Sequence, residues 1–325
     1  QTLIRMLLVS LFFALAMIPA VKYMHERWGW KRGAAVGAIY LGFVVFIIAL
    51  VAFMIPAAVD FADEISGSGG SFAETINAYS QDLIGQDFVD EQTGADAGEA
   101  AGAGVSKFAD NIAGLAMSGI GMLFNLATVL MFTFYFAADA PRIERAMRSR
   151  MNPHRQEVWG WVWDTAIEQT GGYFYSRMLL MVINGGLFFV AMLIVGMPVL
   201  YAIPLAIFEG FVAEFIPAIG TYLGAAIPIL LALVVLGLPE ALILLAWVLI
   251  YQQAENYWLS PKISSNTMEL NGAVAFGAAL AGGAIAGPMG AFAALPVAAL
   301  ITSIIKNSGK TYDVVTQSKY YSADD

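Results

Sequence analysis

AAVGAIYLGFVVFIIALVAFMI, residues 34–55, runs for 22 positions without a single charged side chain. As a helix rising about 1.5 Å per residue it would be roughly 33 Å long, enough to cross the hydrocarbon core of a bilayer. Upstream lies VKYMHERWGWKRG (21–33), with Lys22, Arg27, Lys31 and Arg32 against Glu26. Upstream of that is a second apolar run, LIRMLLVSLFFALAMIPA (3–20). A short basic loop between two spans faces the cytoplasm by the positive-inside rule. Residues 1–55 are therefore expected to form a pair of membrane helices. Gln1 stands close to the first span with neither methionine nor a signal-peptide pattern, which suggests a trimmed N-terminus.

Downstream the character changes. Between Pro56 and Asp110 there are eleven acids and one base, Lys107, so this stretch carries −10 of the chain's net −9 and the rest sums to +1. The run GADAGEAAGAG (94–104) is of low complexity and buries too little apolar surface to order itself. SFAETINAYSQDLIGQDF (71–88) has apolar residues at helical spacing and is expected to be an amphipathic helix outside the membrane. Residues 56–114 are thus expected to form an acidic extracytoplasmic region.

The remaining 211 or so positions return to the membrane by the same criteria. LAMSGIGMLFNLATVLMFTFYFAA (115–138) is a third span. Residues 139–172 carry Arg142, Arg145, Arg148, Arg150 and Arg155, then Trp159, Trp161 and Trp163. Arginine and interfacial tryptophan together predict amphipathic helices along the inner surface. Residues 173–306 hold a fourth span near 176–196 and then apolar segments interrupted by Pro204, Pro217, Pro228, Pro239 and Pro296. These predict broken helices, with 272–304 as a hairpin. Lys306, Lys310 and Lys319 place the tail, 307–325, in the cytoplasm. The fold class is all-α: a polytopic membrane protein with about seven or eight membrane helices or half-helices.

Of the 325 residues 59% are hydrophobic and 13% charged, about half the charged share of a soluble domain. There is no cysteine, and the two histidines, His25 and His154, fall in polar loops. Thiol chemistry, disulfides and cysteine-based metal sites are excluded, and an intramembrane Ser–His dyad lacks its base. Neither a P-loop nor HExxH is present. No enzyme activity, cofactor, metal or nucleic-acid partner is expected.

AEFIPAIGTYLG (213–224) is the sharpest functional signal. It sets Glu214 beside Pro217 and Gly220 within an apolar region. Ionisable residues inside membrane segments mark ion or solute paths, and broken helices beside a carboxylate are how transporter sites are built. The alternative is a loop at the inner surface, with Glu214 reaching water. Glu209 lies five positions earlier, about 140° round a regular helix, and is a secondary candidate. In YQQAENYWLSP (251–261), Gln252 and Asn256 share a helix face and Glu255 flanks them. They would offer hydrogen bonds to a polar solute, or else mark a helix end entering water. Asn184 with Gly185 and Gly186 in the fourth span reads as a packing contact, the alternative being a bend or a polar contact.

EFIPAIGTYLGAAIP resembles the Glu-Phe-Ile-Pro-x-Ile-Gly…Pro block of the autoinducer-2 exporter (AI-2E) family of bacterial, PerM-like permeases. The resemblance extends through IPAVKYMHERWGWKRGAA, FTFYFAADAPRI, YFYSRMLL, QQAENYWLSPKI and GGAIAGPMGAFAALPVAAL, covering nearly the whole chain outside 60–110. The His-Pro pair that often follows the Gln…Glu-Asn…Pro block is missing, since that region reads NTMELNGAVAF. The resemblance implies an inner-membrane exporter of small polar solutes such as autoinducer-2, and sodium- or lithium/proton antiport in some members. It also implies a homo-oligomer, with a pentamer expected. On this reading Glu214 is the coupling carboxylate for a proton or sodium ion, Pro217–Gly220 is the hinge or the cavity wall, and Gln252, Glu255 and Asn256 face the pathway. A passive oligomeric channel and a membrane scaffold acting through the acidic region are the other readings.

Overall fold

The computed structural model describes residues 2–67, 77, 81, 103, 107, 120–216, 219–264 and 270–308. Among these there are helices and no strands, as apolar surroundings require, since a helix satisfies its backbone hydrogen bonds within one segment. The chain is an all-α polytopic membrane protein. The expected amphipathic helix at 71–88, the low-complexity run at 94–104 and the tail beyond Ser308 fall outside the described residues, positions 77, 81 and 103 apart.

The first three helices form one group. Helix α1 (Thr2–Trp28) turns at Gly29 into α2 (Arg32–Gly67), and α3 (Ile120–Ala138) packs against both. Small residues make the seam: Ala14, Val21, Ala35, Val36 and Ala137 are all buried together. Hydroxyls fasten it where side chains cannot reach water. Ser10 donates to the Val129 carbonyl at 3.2 Å, Thr133 donates to the Ser10 carbonyl at 3.2 Å, and Tyr40 donates to the Leu130 carbonyl at 2.7 Å. α2 runs on for 36 residues, well past the 34–55 stretch, so its far end carries the chain beyond the apolar run into the acidic segment.

Helix α4 (Ala140–Arg148) and α5 (Pro153–Ile194) follow. The sequence divides an interfacial helix, 139–172, from a span at 176–196, whereas the structure runs α5 unbroken for 42 residues. Nothing between Trp159 and Ile194 stops a helix: the glycines at 160, 171, 172, 185 and 186 cost stability but impose no break. The N-terminus is capped by Asn152, whose side chain accepts from the Arg155 N–H at 2.9 Å. Arg148 locks α4 onto α5. It lies across Gly160, donates to the Gln156 carbonyl at 3.3 Å and pairs with Glu144 at 2.9 Å.

The last group is α6 (Val199–Phe215), α7 (Gly220–Val235), α8 (Leu238–Ala254), a π-helical turn (Glu255–Leu259), the short α9 (Ser260–Ser264) and α10 (Gly272–Ser308). α6 and α7 have 17 and 16 residues, roughly 25 Å each and so shorter than the ~30 Å core. They fold back on each other as a hairpin, and with α5 and α8 they enclose a core that includes Phe188, Met192, Leu205, Leu231, Leu244 and Val248. α10 is likewise two arms. Its dihedrals leave the helical region at Ala286 and Gly287, where Gly287 has φ +65°, a conformation glycine adopts without a Cβ penalty. Gly282 and Gly290 then touch backbone to backbone, although eight residues of straight helix would hold them about 12 Å apart.

Candidate functional site

The site grows from one helix contact, α5 against α6. At Gly185 and Gly210 the two backbones meet: a Cβ on Gly185 would come within 2.8 Å of the Ala206 carbonyl oxygen, and one on Gly210 within 2.7 Å of that of Met181. Glycine is required here because nothing larger lets the helices this close. The antiparallel register then sets Asn184 opposite Glu209 and Arg177 opposite Glu214. Asn184 Nδ2 donates to Glu209 Oε1 at 3.1 Å, and Arg177 Nη1 donates to Glu214 Oε2 at 3.0 Å.

Both carboxylates are taken out of water. Glu209 is 1% exposed and Glu214 3%. Their angular separation, which argues from the sequence against a joint role, has a geometric resolution. Gly210 sits on the contact line with α5, about 100° from Glu209 and about 40° from Glu214, so the two acids flank that line on opposite sides. α7 closes the other side of α6. Gly224 packs on the Glu209 backbone, with a virtual Cβ 2.9 Å from its carbonyl oxygen, and Gly220 packs on the carbonyls of Val212 and Ala213.

The third acid comes from α8. Its buried stripe is Ala241, Leu244, Val248 and Tyr251, a 3–4–3 spacing that reaches Glu255 at the next step. Glu255 is 5% exposed and interacts with both Glu214 and Arg177. The helix widens to π geometry from that residue on, a distortion that recurs at functional sites. Gln252 and Asn256 take a different position. They hydrogen-bond each other at 3.3 Å on an exposed edge of α8, away from the acids' buried face.

The cluster is therefore Arg177, Glu209, Glu214 and Glu255, with Asn184. Its polar groups are incompletely matched. One oxygen on each of the three glutamates, the Arg177 Nε and the Tyr251 hydroxyl are buried without a hydrogen-bond partner among the described residues. Aromatic rings close it toward α1 and α10. The Arg177 guanidinium lies 5.3 Å from the Tyr173 ring centroid, and Phe292 packs on Tyr173 at 4.9 Å, on Phe215 at 5.0 Å and on Phe12 at 5.8 Å. No group of His, Cys, Asp and Glu among the described residues is arranged to hold a metal ion.

The break after Glu214 is short. α6 ends at Phe215, and Ile216 is extended at φ −109°, ψ 102°, the conformation favoured before a proline. α7 begins at Gly220, whose N–H donates to the Ile216 carbonyl at 3.0 Å. Pro217 itself lies outside the described residues, so the hinge can be placed only by its flanks.

Arg177 and the Asn184–Glu209 bond are the parts of the cluster that the sequence did not single out. Arg177 appears only within YFYSRMLL, quoted there for the family resemblance, at the start of the span near 176–196. Asn184 reads from its glycine neighbours as packing. The usable signal was an arginine and an asparagine seven positions apart, hence on one helix face, in an apolar segment.

Among curated proteins the chain is similar to "Putative transport protein YrrI" of Bacillus subtilis (strain 168), 24% identical over 318 residues, covering 93% of this chain and 85% of that protein. The family model described as "AI-2E family transporter" matches residues 1–310, so this chain belongs to the AI-2E transporter family.

Proposed function

We propose that the chain is a secondary exporter of a small polar solute, of the autoinducer-2 type, coupled to a proton or sodium gradient at the Glu214 cluster. The observation that carries this reading is a cluster of three buried glutamates with one half-buried arginine, Arg177, paired to Glu214. Fully ionised, that set has a net charge of −2 in an apolar bundle, and buried charge without compensation is costly. A proton or a monovalent cation reduces that charge to −1, and its arrival or departure changes what Arg177 is paired with. The α6–α7 hairpin tip beside Glu214 is the element free to respond, because α6 ends at Phe215 and α7 begins only at Gly220. In this scheme Glu209, held by Asn184, fixes the register of α5 and α6, and the Gln252–Asn256 pair lines the outer approach.

The scheme also places the protein in the bacterial inner membrane with its C-terminus in the cytoplasm, and as a homo-oligomer, a pentamer being the stoichiometry tested first by native mass spectrometry. Functionally, Glu214→Gln keeps size and the acceptor for Arg177 but removes the titratable site. In proteoliposomes, wild type should move solute faster under an imposed proton or sodium gradient, and Glu214→Gln should lose that dependence. Undiminished gradient-driven transport by Glu214→Gln sinks the coupling role. Solute flow that ignores both gradients in wild type identifies a passive channel instead.

A further inference from the structure

A second polar site lies away from the glutamates, where α2 begins and α3 ends. A cleft of about 420 Å³ opens there, lined by Arg32, Phe134, Tyr135, Asp139, Arg142 and Arg145 among others. We propose that it binds the phosphodiester headgroup of an anionic phospholipid, with the acyl chains lying along the outward faces of α2 and α3.

Charge is the first argument. The cleft holds three arginines and one acid. Arg142 and Asp139 meet only at 3.4 Å, with the arginine side chain 80% exposed, so this ion pair is weak. Arg145 donates through Nε to the Pro141 carbonyl at 3.0 Å, a contact that leaves its terminal nitrogens available. Arg32 forms no salt bridge among the described residues. Guanidinium forks suit phosphate oxygens in number and geometry. By contrast Arg148, one turn further on, is already engaged by Glu144 and the Gln156 carbonyl.

Position is the second argument. Arg32 opens the apolar α2, and Arg142 and Arg145 lie on α4, which starts directly after the apolar α3 ends, the level at which headgroups lie. The cleft's inner wall is apolar, made by Phe134 and Ala138, with Gly33 in contact with the Phe134 ring. That wall runs into exposed apolar side chains, Leu41, Val44 and Ile48 on α2 and Phe124, Met131 and Tyr135 on α3. A ligand with a charged head and an apolar tail matches this gradient, whereas free phosphate would use only the head. Near a membrane surface, basic side chains strengthen the attraction toward an anionic lipid.

The test is native mass spectrometry of the purified full chain, titrated with dioleoyl phosphatidylglycerol or dioleoyl phosphatidylcholine. Wild type should retain phosphatidylglycerol roughly tenfold more tightly than phosphatidylcholine, and R32Q/R142Q/R145Q should lose that preference. D139N should strengthen it by several-fold, because Asp139 is the cleft's one acid and its side chain caps nothing. R150Q/R155Q, on arginines outside the cleft, should leave it unchanged. Equal retention of both lipids by wild type, an unaltered preference in the triple variant, or an equal loss in R150Q/R155Q overturns the proposal. Displacement of the lipid by millimolar inorganic phosphate overturns the lipid assignment. If the triple variant does not purify folded, D139N decides, and no gain in that variant overturns the site.

Discussion

Arg177 is the residue on which the cluster's balance turns. Its loss would leave Glu214 without its cation, beside Glu255 and in the same bundle as Glu209. Removing one partner of a buried pair costs about 3 kcal/mol or more in soluble proteins, and somewhat less is expected where the unfolded state is also in lipid. Arg177→Met should therefore lower the unfolding temperature in detergent clearly, and adding Glu214→Leu should recover part of that loss. Asn184→Leu leaves Glu209 without its donor and should cost about 1–2 kcal/mol, read in the same unfolding assay. Glu214 was legible in the sequence because a carboxylate beside a proline in an apolar run has few ordinary explanations. Arg177 was not, because its neighbours Tyr173, Tyr175 and Ser176 make the start of the apolar run look like a membrane edge. Glu255 was legible as a residue but not as a direction. Gln252 and Asn256 drew attention by sharing a face, while the buried stripe that ends in Glu255 was hidden among ordinary core residues.

At the scale of elements, the glycines on α5 and α6 are not equivalent. A methyl group at Gly210 would press on the Met181 carbonyl, whereas one at Gly186 would meet nothing within 4 Å. Gly210→Ala should thus destabilise by about 1–3 kcal/mol and impair transport, while Gly186→Ala should be near neutral in both assays. The small-residue spacings in the sequence announce close packing without saying which glycine faces which helix, since that depends on register. Break points were better marked. The turn-backs after Phe215 and at Gly287 both fall where proline and glycine cluster, because backbone chemistry is local. The continuity of α5 was not marked, because arginine and tryptophan near a helix start are as compatible with an interfacial helix as with the projecting end of a long one.

For the whole molecule, the acidic stretch and the membrane bundle are expected to be separable. Deleting residues 90–104 should leave gradient-driven transport largely intact in proteoliposomes, whereas a scaffold acting through that stretch would lose its function. The membrane class was legible because composition alone excludes a soluble core. The way α1, α5, α6 and α10 converge on Phe292 was not, since no local pattern encodes contacts so distant in sequence. The unbroken α5 carries a mechanical consequence. From Pro153, beside the Arg148 clamp, to Arg177 is 24 residues, a rod about 36 Å long. Swung by ten degrees about its clamped end, such a rod would carry Arg177 about 6 Å. Its contact with Glu214 spans 3.0 Å. If α5 tilted in this way, a few degrees would be enough to uncouple the guanidinium from its acid, and α5 would work as a lever on an electrostatic latch.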